Sequence, residues 1–372
     1  MSVRRFTLPA AMLTAVLMTG LTACGSSDDD TKSTTPPANA PQNAPADAGA
    51  KPPADVPVEG NAPSTTTPDT GHGSGHDPGA SGQPPAPADQ AKDTGAAEPA
   101  DGQETFFIAN LTGAEEVPGN DGKAVGDKDG KATAYVRIKG NQMAFSIKWE
   151  KIAAPSAAHI HQGAKGANGA VVVPFFASPL PDGATATTGS VAVADQGLLD
   201  RIVNNPGNWY FNLHTGEFPG GAVRGQLTKL DKPVDLNAVL KTGKPEGTFT
   251  VNASGSQEVP NKDNKPINDQ DGAAVTAIRP WGNCVDYAFS WKGVAPPTLG
   301  HVHKAPAGQN GDVVAPLWAA DKGLPQSITG LSGTVEGIKP EIVAEMSANP
   351  AGFYTNVHTA EFPGGAVRGQ LG

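Results

Sequence analysis

The sequence predicts an all-β protein with two tandem Greek-key-like β-sandwich domains, each with one short helix, after a disordered amino-terminal tether. Three observations support this prediction. Short apolar segments with a period of two are separated by turns rich in glycine and proline, of which the chain holds 46 and 35. The order of segments in residues 104–228 returns in residues 247–372. Residues 25–103, by contrast, contain almost no aromatic or large aliphatic side chain.

Composition limits the class of function. A chain of 372 residues is long enough for two ordinary domains with real cores. The formal net charge is −10 and only 17% of the residues are charged. No basic stripe is available to neutralise phosphates, so nucleic acid is not an expected partner. The sequence shows no Ser-His-Asp arrangement, phosphate loop or paired-carboxylate motif, and it therefore leans away from an enzyme.

Residues 1–24 have the pattern of a secretory signal, with two arginines before the apolar run Leu8–Leu21. The run ends in Leu21-Thr22-Ala23-Cys24, which resembles a bacterial lipobox. The resemblance implies cleavage before Cys24 and lipid modification of its thiol and amine; the alternative is an ordinary signal peptide that contains a cysteine. We expect an exported protein anchored in the cell envelope, in the outer membrane or facing the periplasm if the cell has two membranes. An acylated Cys24 would leave Cys284 without a disulfide partner.

Residues 25–103 are predicted to form a disordered tether. Their low hydrophobicity cannot offset the entropy cost of ordering the chain. A linker of this length and composition has a reach of roughly 50 Å, which suits a stalk that holds domains away from a membrane. His72 and His76 could bind a metal weakly, but a solvated spacer is the favoured interpretation.

In the first domain, residues 104–228, strands are predicted where apolar and polar residues alternate. Met143, Phe145 and Ile147 give the clearest pattern, and Gly140-Asn141 signals a tight hairpin before them. The predicted strands cover residues 106–112, 132–139, 142–149, a His-x-His segment at 159–161, 170–176 and 186–193.

One short helix is predicted in each domain, over residues 195–204 and 340–349. Asp195 is the candidate cap of the first helix. A linker over residues 229–246 joins the first domain to the second domain, residues 247–372. The many short strands and turns favour β-sandwiches over helical folds.

The closing hairpin is the most specific stretch of each domain. The segment Asn212-Leu213-His214-Thr215-x-Glu-Phe-Pro-Gly-Gly-Ala-Val-Arg224-Gly-Gln-Leu returns almost letter for letter between Asn356 and Leu371. The alternation predicts that Leu213 pairs with Gly225, His214 with Arg224 and Asn212 with Gln226. The second copy is predicted to have the same register, which pairs Val357 with Gly369, His358 with Arg368 and Asn356 with Gln370. One face is then apolar, and the other carries His, Arg, Asn and Gln.

The His-x-His segments, His159-Ile160-His161 and His301-Val302-His303, are the other repeated feature. A period of two places both imidazoles of a segment on the same face of a strand. Two imidazoles on one face can chelate a metal ion, and neutral imidazole suits copper and zinc best. The only other histidine within each domain is His214 or His358, so a three-histidine site must use it. The sequence alone does not show that the three rings meet.

The polar residues of the hairpin have two interpretations. Arg224 and Arg368 would repel a metal ion but could hold an anionic ligand beside it. Together with Asn212 and Asn356, they are therefore candidate ligand-binding or outer-shell residues. In the alternative, His and Arg form a structural polar network that fixes the hairpin to the sandwich.

These motifs together resemble the CHRD domain, a family named from chordin. The matching pieces are the His-x-His segment, the Asn-Gly-x-Val-Val that follows it and the closing hairpin, so the resemblance covers nearly all of residues 104–228 and 247–372. It implies a tandem CHRD lipoprotein that is extracellular and that binds a ligand rather than catalysing a reaction, without naming that ligand. A metal ion or an extracellular protein is the partner that we expect. Ala305 stands where the first copy has Gly163, so the turn after His303 is expected to differ.

A weaker similarity runs to the copper/zinc superoxide dismutases, which are Greek-key β-sandwiches. His301-Val302-His303 and Arg368 are the matching pieces. No bridging-His zinc loop and no structural disulfide are visible in the sequence. The similarity supports a copper site more than dismutase activity.

The first hypothesis is therefore a lipid-anchored, non-enzymatic envelope protein. It is expected to bind copper, with zinc less favoured, through one site per domain formed by His159, His161 and His214 and by His301, His303 and His358. The second hypothesis is a copper-dependent oxidoreductase of the superoxide dismutase type. The third is an adhesion or matrix-interaction module in which the histidines are structural.

Overall fold

The computed structural model describes residues 103–241 and 246–372. The signal sequence with Cys24 and the tether with His72 and His76 lie outside the described residues. The described part consists mainly of antiparallel strands with two short helices, as the sequence predicts. Within these two ranges, no helix is long and apolar enough to cross a membrane.

The elements of the first domain follow the predicted order, with bounds that differ from the predicted ones by one or two residues. The helix α1 starts after Asp195, whose Oδ1 accepts a hydrogen bond from the Leu198 backbone N at 2.9 Å, as the cap prediction requires. The elements are β1 Thr105–Thr112, β2 Lys131–Lys139, β3 Gln142–Glu150, β4 Ala157–Gln162, β5 Val171–Phe176, β6 Ala184–Ala192, α1 Gln196–Asn204, β7 Trp209–His214, β8 Val223–Gln226 and β9 Thr228–Leu230.

The second domain repeats this order. Its elements are β10 Phe249–Ser254, β11 Ala273–Trp281, β12 Cys284–Lys292, β13 Pro297–Lys304, β14 Val313–Ala319, β15 Ile328–Val335, α2 Pro340–Ala348, β16 Phe353–Thr359 and β17 Val367–Gln370. Part of the predicted linker between the domains is ordered, because β9 pairs with β1 and residues Leu236–Leu240 form a 3₁₀ helix.

Each domain is a sandwich of two antiparallel sheets. In the first domain, one sheet has the order β1-β2-β3-β6 and the other has the order β5-β4-β7-β8. Phe145 from the first sheet packs against Phe175 from the second, with ring centroids 4.6 Å apart, and Phe175 stacks on Phe211 at 5.1 Å. These contacts bury the apolar face that the period-two pattern predicts.

The two domains are joined edge to edge, which the sequence does not predict. Strand β6 pairs antiparallel with its counterpart β15, with Thr187 opposite Leu331. The Thr187 Oγ1 donates to the Gly330 carbonyl oxygen at 2.8 Å. Leu240, from the 3₁₀ helix of the linker, packs with Ala186 of β6 and Ala288 of β12. The first sheets of the two sandwiches therefore form one continuous sheet.

The register of the closing hairpin differs from the prediction by two residues. Asn212 lies opposite Arg224, and Leu213 lies opposite Val223. The predicted pairs His214–Arg224 and Asn212–Gln226 are therefore wrong, and so are their counterparts in the second domain, where Asn356 lies opposite Arg368.

The register shifts because the turn of the hairpin is longer than the predicted Pro-Gly-Gly tip. The hydroxyl of Thr215 accepts a hydrogen bond from the Phe218 backbone N at 3.1 Å, which bends the chain directly after His214. Gly221 then closes the turn with a φ of 134°. A shift of two residues keeps every side chain on its predicted face.

Cys284 lies at the start of β12 and is fully buried.

The shared sheet gives a prediction about the linker. Cleavage of the chain at a protease site inserted between Lys241 and Glu246 should leave the two halves associated in gel filtration at micromolar concentration. The β6–β15 ladder and the Leu240 contact hold them without the covalent connection. The same cut chain run in denaturant serves as the control for complete cleavage. Separate elution of the halves in native buffer would contradict the shared sheet.

Candidate metal centre

The three histidines of the first domain converge on one spot. His159 and His161 project from one face of β4, while Ile160 between them is fully buried in the core. His214 ends β7, which pairs directly with β4 and sets Ala157 opposite His214. The ring centroid of His159 is 5.6 Å from that of His161 and 5.0 Å from that of His214. One nitrogen of each ring lies within 4.8 Å of the other two.

The second domain reproduces this arrangement. The ring centroid of His301 is 5.6 Å from that of His303 and 5.1 Å from that of His358. Their nitrogens also lie within 4.8 Å of one another. The structure thus brings together both sets of three histidines that the sequence analysis selected.

A backbone carbonyl fixes the orientation of the second histidine of each pair. The Nδ1 of His161 lies 3.0 Å from the Gly169 carbonyl oxygen, and the Nδ1 of His303 lies 2.9 Å from that of Gly311. Because a carbonyl oxygen only accepts, Nδ1 must carry the proton, and the lone pair of a neutral ring is then on Nε2. In both rings Nε2 is buried and has no hydrogen-bond partner among the described residues.

The histidine of the hairpin is oriented in the same way. Its Nδ1 lies 3.0 Å from a carbonyl oxygen in the turn, that of Pro219 for His214 and that of Pro363 for His358. Its Nε2 faces the Nδ1 of the first histidine of β4 or β13, at 3.2 Å in the first domain and 3.3 Å in the second. In the metal-free state, His159 Nδ1 therefore donates to His214 Nε2.

These nitrogen separations also fit a coordinated metal ion. Two ligands of a tetrahedral ion with metal–nitrogen bonds of about 2.0–2.1 Å lie about 3.3–3.4 Å apart. The distance of 3.2 Å between the Nδ1 of His159 and the Nε2 of His214 is close to this nitrogen–nitrogen separation. A metal ion could thus replace the shared proton, held by the Nε2 of His161, the Nε2 of His214 and the Nδ1 of His159.

Glycine is required where the orienting carbonyl approaches the strand. A Cβ added at Gly169 would overlap the carbonyl oxygen of Gln162, and one at Gly311 would overlap that of Lys304. The Asn-Gly pair after each His-x-His segment therefore allows the loop to pack closely enough to reach the histidine ring.

In each site, one histidine belongs to a stack of three side chains, His, Tyr and Arg. The ring of His161 stacks on Tyr210 with centroids 4.8 Å apart and an interplanar angle of 7°, and the Arg224 guanidinium carbon lies 3.4 Å from the Tyr210 ring centroid. The second domain has the same stack, with 4.8 Å and 4° between His303 and Tyr354 and 3.5 Å to Arg368. The imidazole and the guanidinium thus both lie against the ring of the same tyrosine.

Arg224 also fixes the loop that delivers Gly169. Only 1% of its surface is exposed, and it donates to the carbonyl oxygens of Ala164 and Ala167 and to Asn168 Oδ1. Arg368 makes the equivalent bonds to Pro306, Gln309 and Asn310. The arginines therefore belong to a polar network that fixes this loop, and their role as ligand-binding or outer-shell residues stays a prediction.

The asparagine of each hairpin bonds to a half-buried glutamate that the sequence analysis did not select as a site residue. Asn212 Nδ2 donates to Glu116 Oε2 at 3.3 Å, and Asn356 Nδ2 donates to Glu258 Oε1 at 2.8 Å. Burial raises the pKa of Glu116 to about 7 and that of Glu258 to about 8. The spacing of 142 residues between the two glutamates, equal to that of the His-x-His segments, was the available signal.

Burial has the opposite effect on the histidines. It lowers the pKa of His159 to about 3 and the pKa of His301 and His358 to about 4, and neighbouring histidines add to the effect. Burial also lowers the pKa of His161, His214 and His303. All six rings are therefore neutral at pH 7, which is the form that binds metal.

The buried glutamates predict a pH dependence of stability. A carboxyl group whose pKa rises on folding contributes stability that is full below pH 4.5 and is lost as the pH rises through the folded-state values of about 7 and 8. Between pH 5 and pH 9, the wild type should therefore lose up to about 3 kcal/mol of unfolding free energy relative to Glu116→Gln and up to about 4 kcal/mol relative to Glu258→Gln.

Denaturant titrations at several pH values measure this difference. Glu150→Gln, which alters an exposed carboxylate on β3, should follow the wild type. Parallel pH profiles for the wild type and the two buried-site variants would show that Glu116 and Glu258 are not desolvated.

Comparison with known proteins agrees with this architecture. The CHRD domain matches the chain twice, over residues 107–227 and 249–371. No curated protein and no solved structure matches it. The two matched segments coincide with the two sandwiches and cover more than half of the chain. The protein therefore belongs to the CHRD domain family and carries two tandem copies of the domain.

Proposed function

We propose that this protein is an exported, lipid-anchored component of the cell envelope that binds copper, one ion in each CHRD domain. The proposed ligands are His159, His161 and His214 in the first domain and His301, His303 and His358 in the second. The observation that carries the proposal is the buried Nε2 of His161 and of His303, each without a hydrogen-bond partner among the described residues.

An unpartnered buried acceptor is costly. A buried polar atom without a partner costs about 1–3 kcal/mol, and native structures leave few such atoms unexplained. Here the same atom is unpartnered in both domains, and in each it points to the same pair of neighbouring imidazoles. A bound metal ion would satisfy this lone pair and replace the His159–His214 proton at the same time.

The donor set favours copper. Every ligand atom is an imidazole nitrogen, and no carboxylate or thiol of the described residues joins either group. Magnesium and calcium prefer oxygen donors, whereas imidazole suits copper and zinc. Between these two, divalent copper binds a given nitrogen site more tightly than zinc does. Zinc is therefore the less favoured occupant.

A second candidate function is a redox reaction at the same centre. Three protein ligands leave one coordination position open, which is typical of catalytic rather than structural metal sites. This observation favours an oxidoreductase of the superoxide dismutase type as the alternative to simple copper binding.

Elemental analysis tests the metal sites. After exposure to copper and removal of excess metal, the wild type should retain two equivalents per chain. His161→Ala and His303→Ala should each lower the copper content to about one equivalent per chain. Each variant removes the ligand whose Nε2 lone pair has no hydrogen-bond partner among the described residues. The double variant should retain almost none.

The tether provides a matched control, because His72→Ala with His76→Ala also removes two histidines. This variant should keep both equivalents. A wild type that retains no copper, or a double variant that retains two equivalents, would contradict the proposal. It would leave the histidines structural and favour the adhesion or matrix-interaction hypothesis.

Membrane fractionation tests the anchor. The wild type expressed in a bacterial host should appear in the membrane fraction and require detergent for release, and Cys24→Ser should move it to the soluble exported fraction. Cys284→Ser removes the other cysteine and should stay with the membrane. Release of both variants, or of neither, would contradict lipid anchoring at Cys24.

A further inference from the structure

A loop that carries a lysine packs against the hairpin turn of each site, and a Cβ added at Gly220 would lie 3.2 Å from the Cβ of Lys123. Burial is the main cause of the lowered pKa of His214 and of His358, and the positive charge of Lys123 or of Lys265 adds to it. The two lysines are separated by the same 142 residues as the His-x-His segments. The chain has a net charge of −10, yet a lysine occupies the same position beside the histidines in both domains.

The fold places these lysines beside the turn that orients the hairpin histidine. The loop that carries Lys123 forms a parallel bridge between Val125 and Gly221, and the Gly220 backbone N donates to the Ala124 carbonyl oxygen at 3.0 Å. Gly220 directly follows Pro219, whose carbonyl oxygen orients His214.

The second domain repeats the placement of the lysine. Ile267 bridges Gly365, and the Gly364 backbone N donates to the carbonyl oxygen of Pro266, the residue after Lys265. In both domains, therefore, the backbone that follows the lysine is paired with the hairpin turn.

Acidic neighbours balance the lysines only in part. Lys123 Nζ lies 3.0 Å from Asp121 Oδ2, and Lys265 Nζ lies 3.9 Å from Asp263 Oδ2. All four side chains are more than half exposed, so these pairs are weak and screened by solvent. The arginines of the network lie against the tyrosine rings, and their charge acts on His161 and His303.

We propose that the fourth coordination position of each copper ion takes a small inorganic anion from solution, and that Lys123 and Lys265 attract it. This proposal rests on the proposed copper-binding function. The three histidines supply no negative charge, so a divalent ion held by them keeps its full charge and favours an anionic fourth ligand. A fixed cation nearby raises the local concentration of anions further.

Azide titration of the copper-loaded full chain tests the proposal. Azide is a small anion whose binding to divalent copper produces a charge-transfer absorption band. Relative to the wild type, the variant Lys123→Gln with Lys265→Gln should bind azide about three- to tenfold more weakly, as expected for one unit charge several ångströms away. Its azide affinity should also depend less on salt concentration.

Two controls separate electrostatics from structure. Lys148→Gln with Lys292→Gln removes the same charge from exposed positions on β3 and β12, strands of the sheets without histidine ligands, and should leave azide binding unchanged. Imidazole, a neutral ligand for the same position, should bind the wild type and the Lys123/Lys265 variant equally.

The copper content of every sample is measured alongside. If the spectrum of the copper-loaded wild type does not respond to azide, the proposed open coordination position is contradicted. The proposal that the protein binds copper is not affected by that result. Equal weakening of azide and imidazole, or an equal effect of the control lysines, would overturn the role of Lys123 and Lys265. Absence of copper uptake would instead refute the proposed function, and this proposal with it.

Discussion

A hydrogen bond from imidazole Nδ1 to a backbone carbonyl determines what the histidines of this protein can do. The carbonyl of Gly169 orients His161, and that of Pro219 orients His214, so both Nε2 lone pairs point inward. The rest of the domain places these two carbonyls. Arg224 fixes the loop before Gly169, and the bend at Thr215 brings Pro219 back to the end of β7.

Comparison of the two copies of the domain shows which features of the site are present in both. The two copies differ in sequence in the turn after the His-x-His strand, where Ala164 corresponds to Pro306, and β9 pairs with β1 in the first domain. The histidine triads and the tyrosine–arginine stacks nevertheless have nearly the same distances in both, and in each domain the hairpin asparagine donates to a glutamate. The domains also meet through the equivalent strands β6 and β15, which belong to the sheets without histidine ligands.

Much of this could be predicted from sequence because it depends on local periodicity. Alternation places His159 and His161 on one face, and Asp195 marks the start of α1. The features that were missed depend on groups far apart in sequence. The hairpin register follows from the Thr215 bend, the β6–β15 pairing from the exposed edges of two finished sandwiches, and the burial of Glu116 from its contact with Asn212.

The convergence of three imidazole lone pairs on one ion is the central claim, and anomalous diffraction at the copper edge tests it most directly. A crystal of the copper-loaded protein should show one copper peak in each domain. The first should lie about 2 Å from the Nε2 of His161, the Nε2 of His214 and the Nδ1 of His159. Copper bound elsewhere, with both triads intact and their Nδ1–Nε2 hydrogen bonds kept, would contradict it.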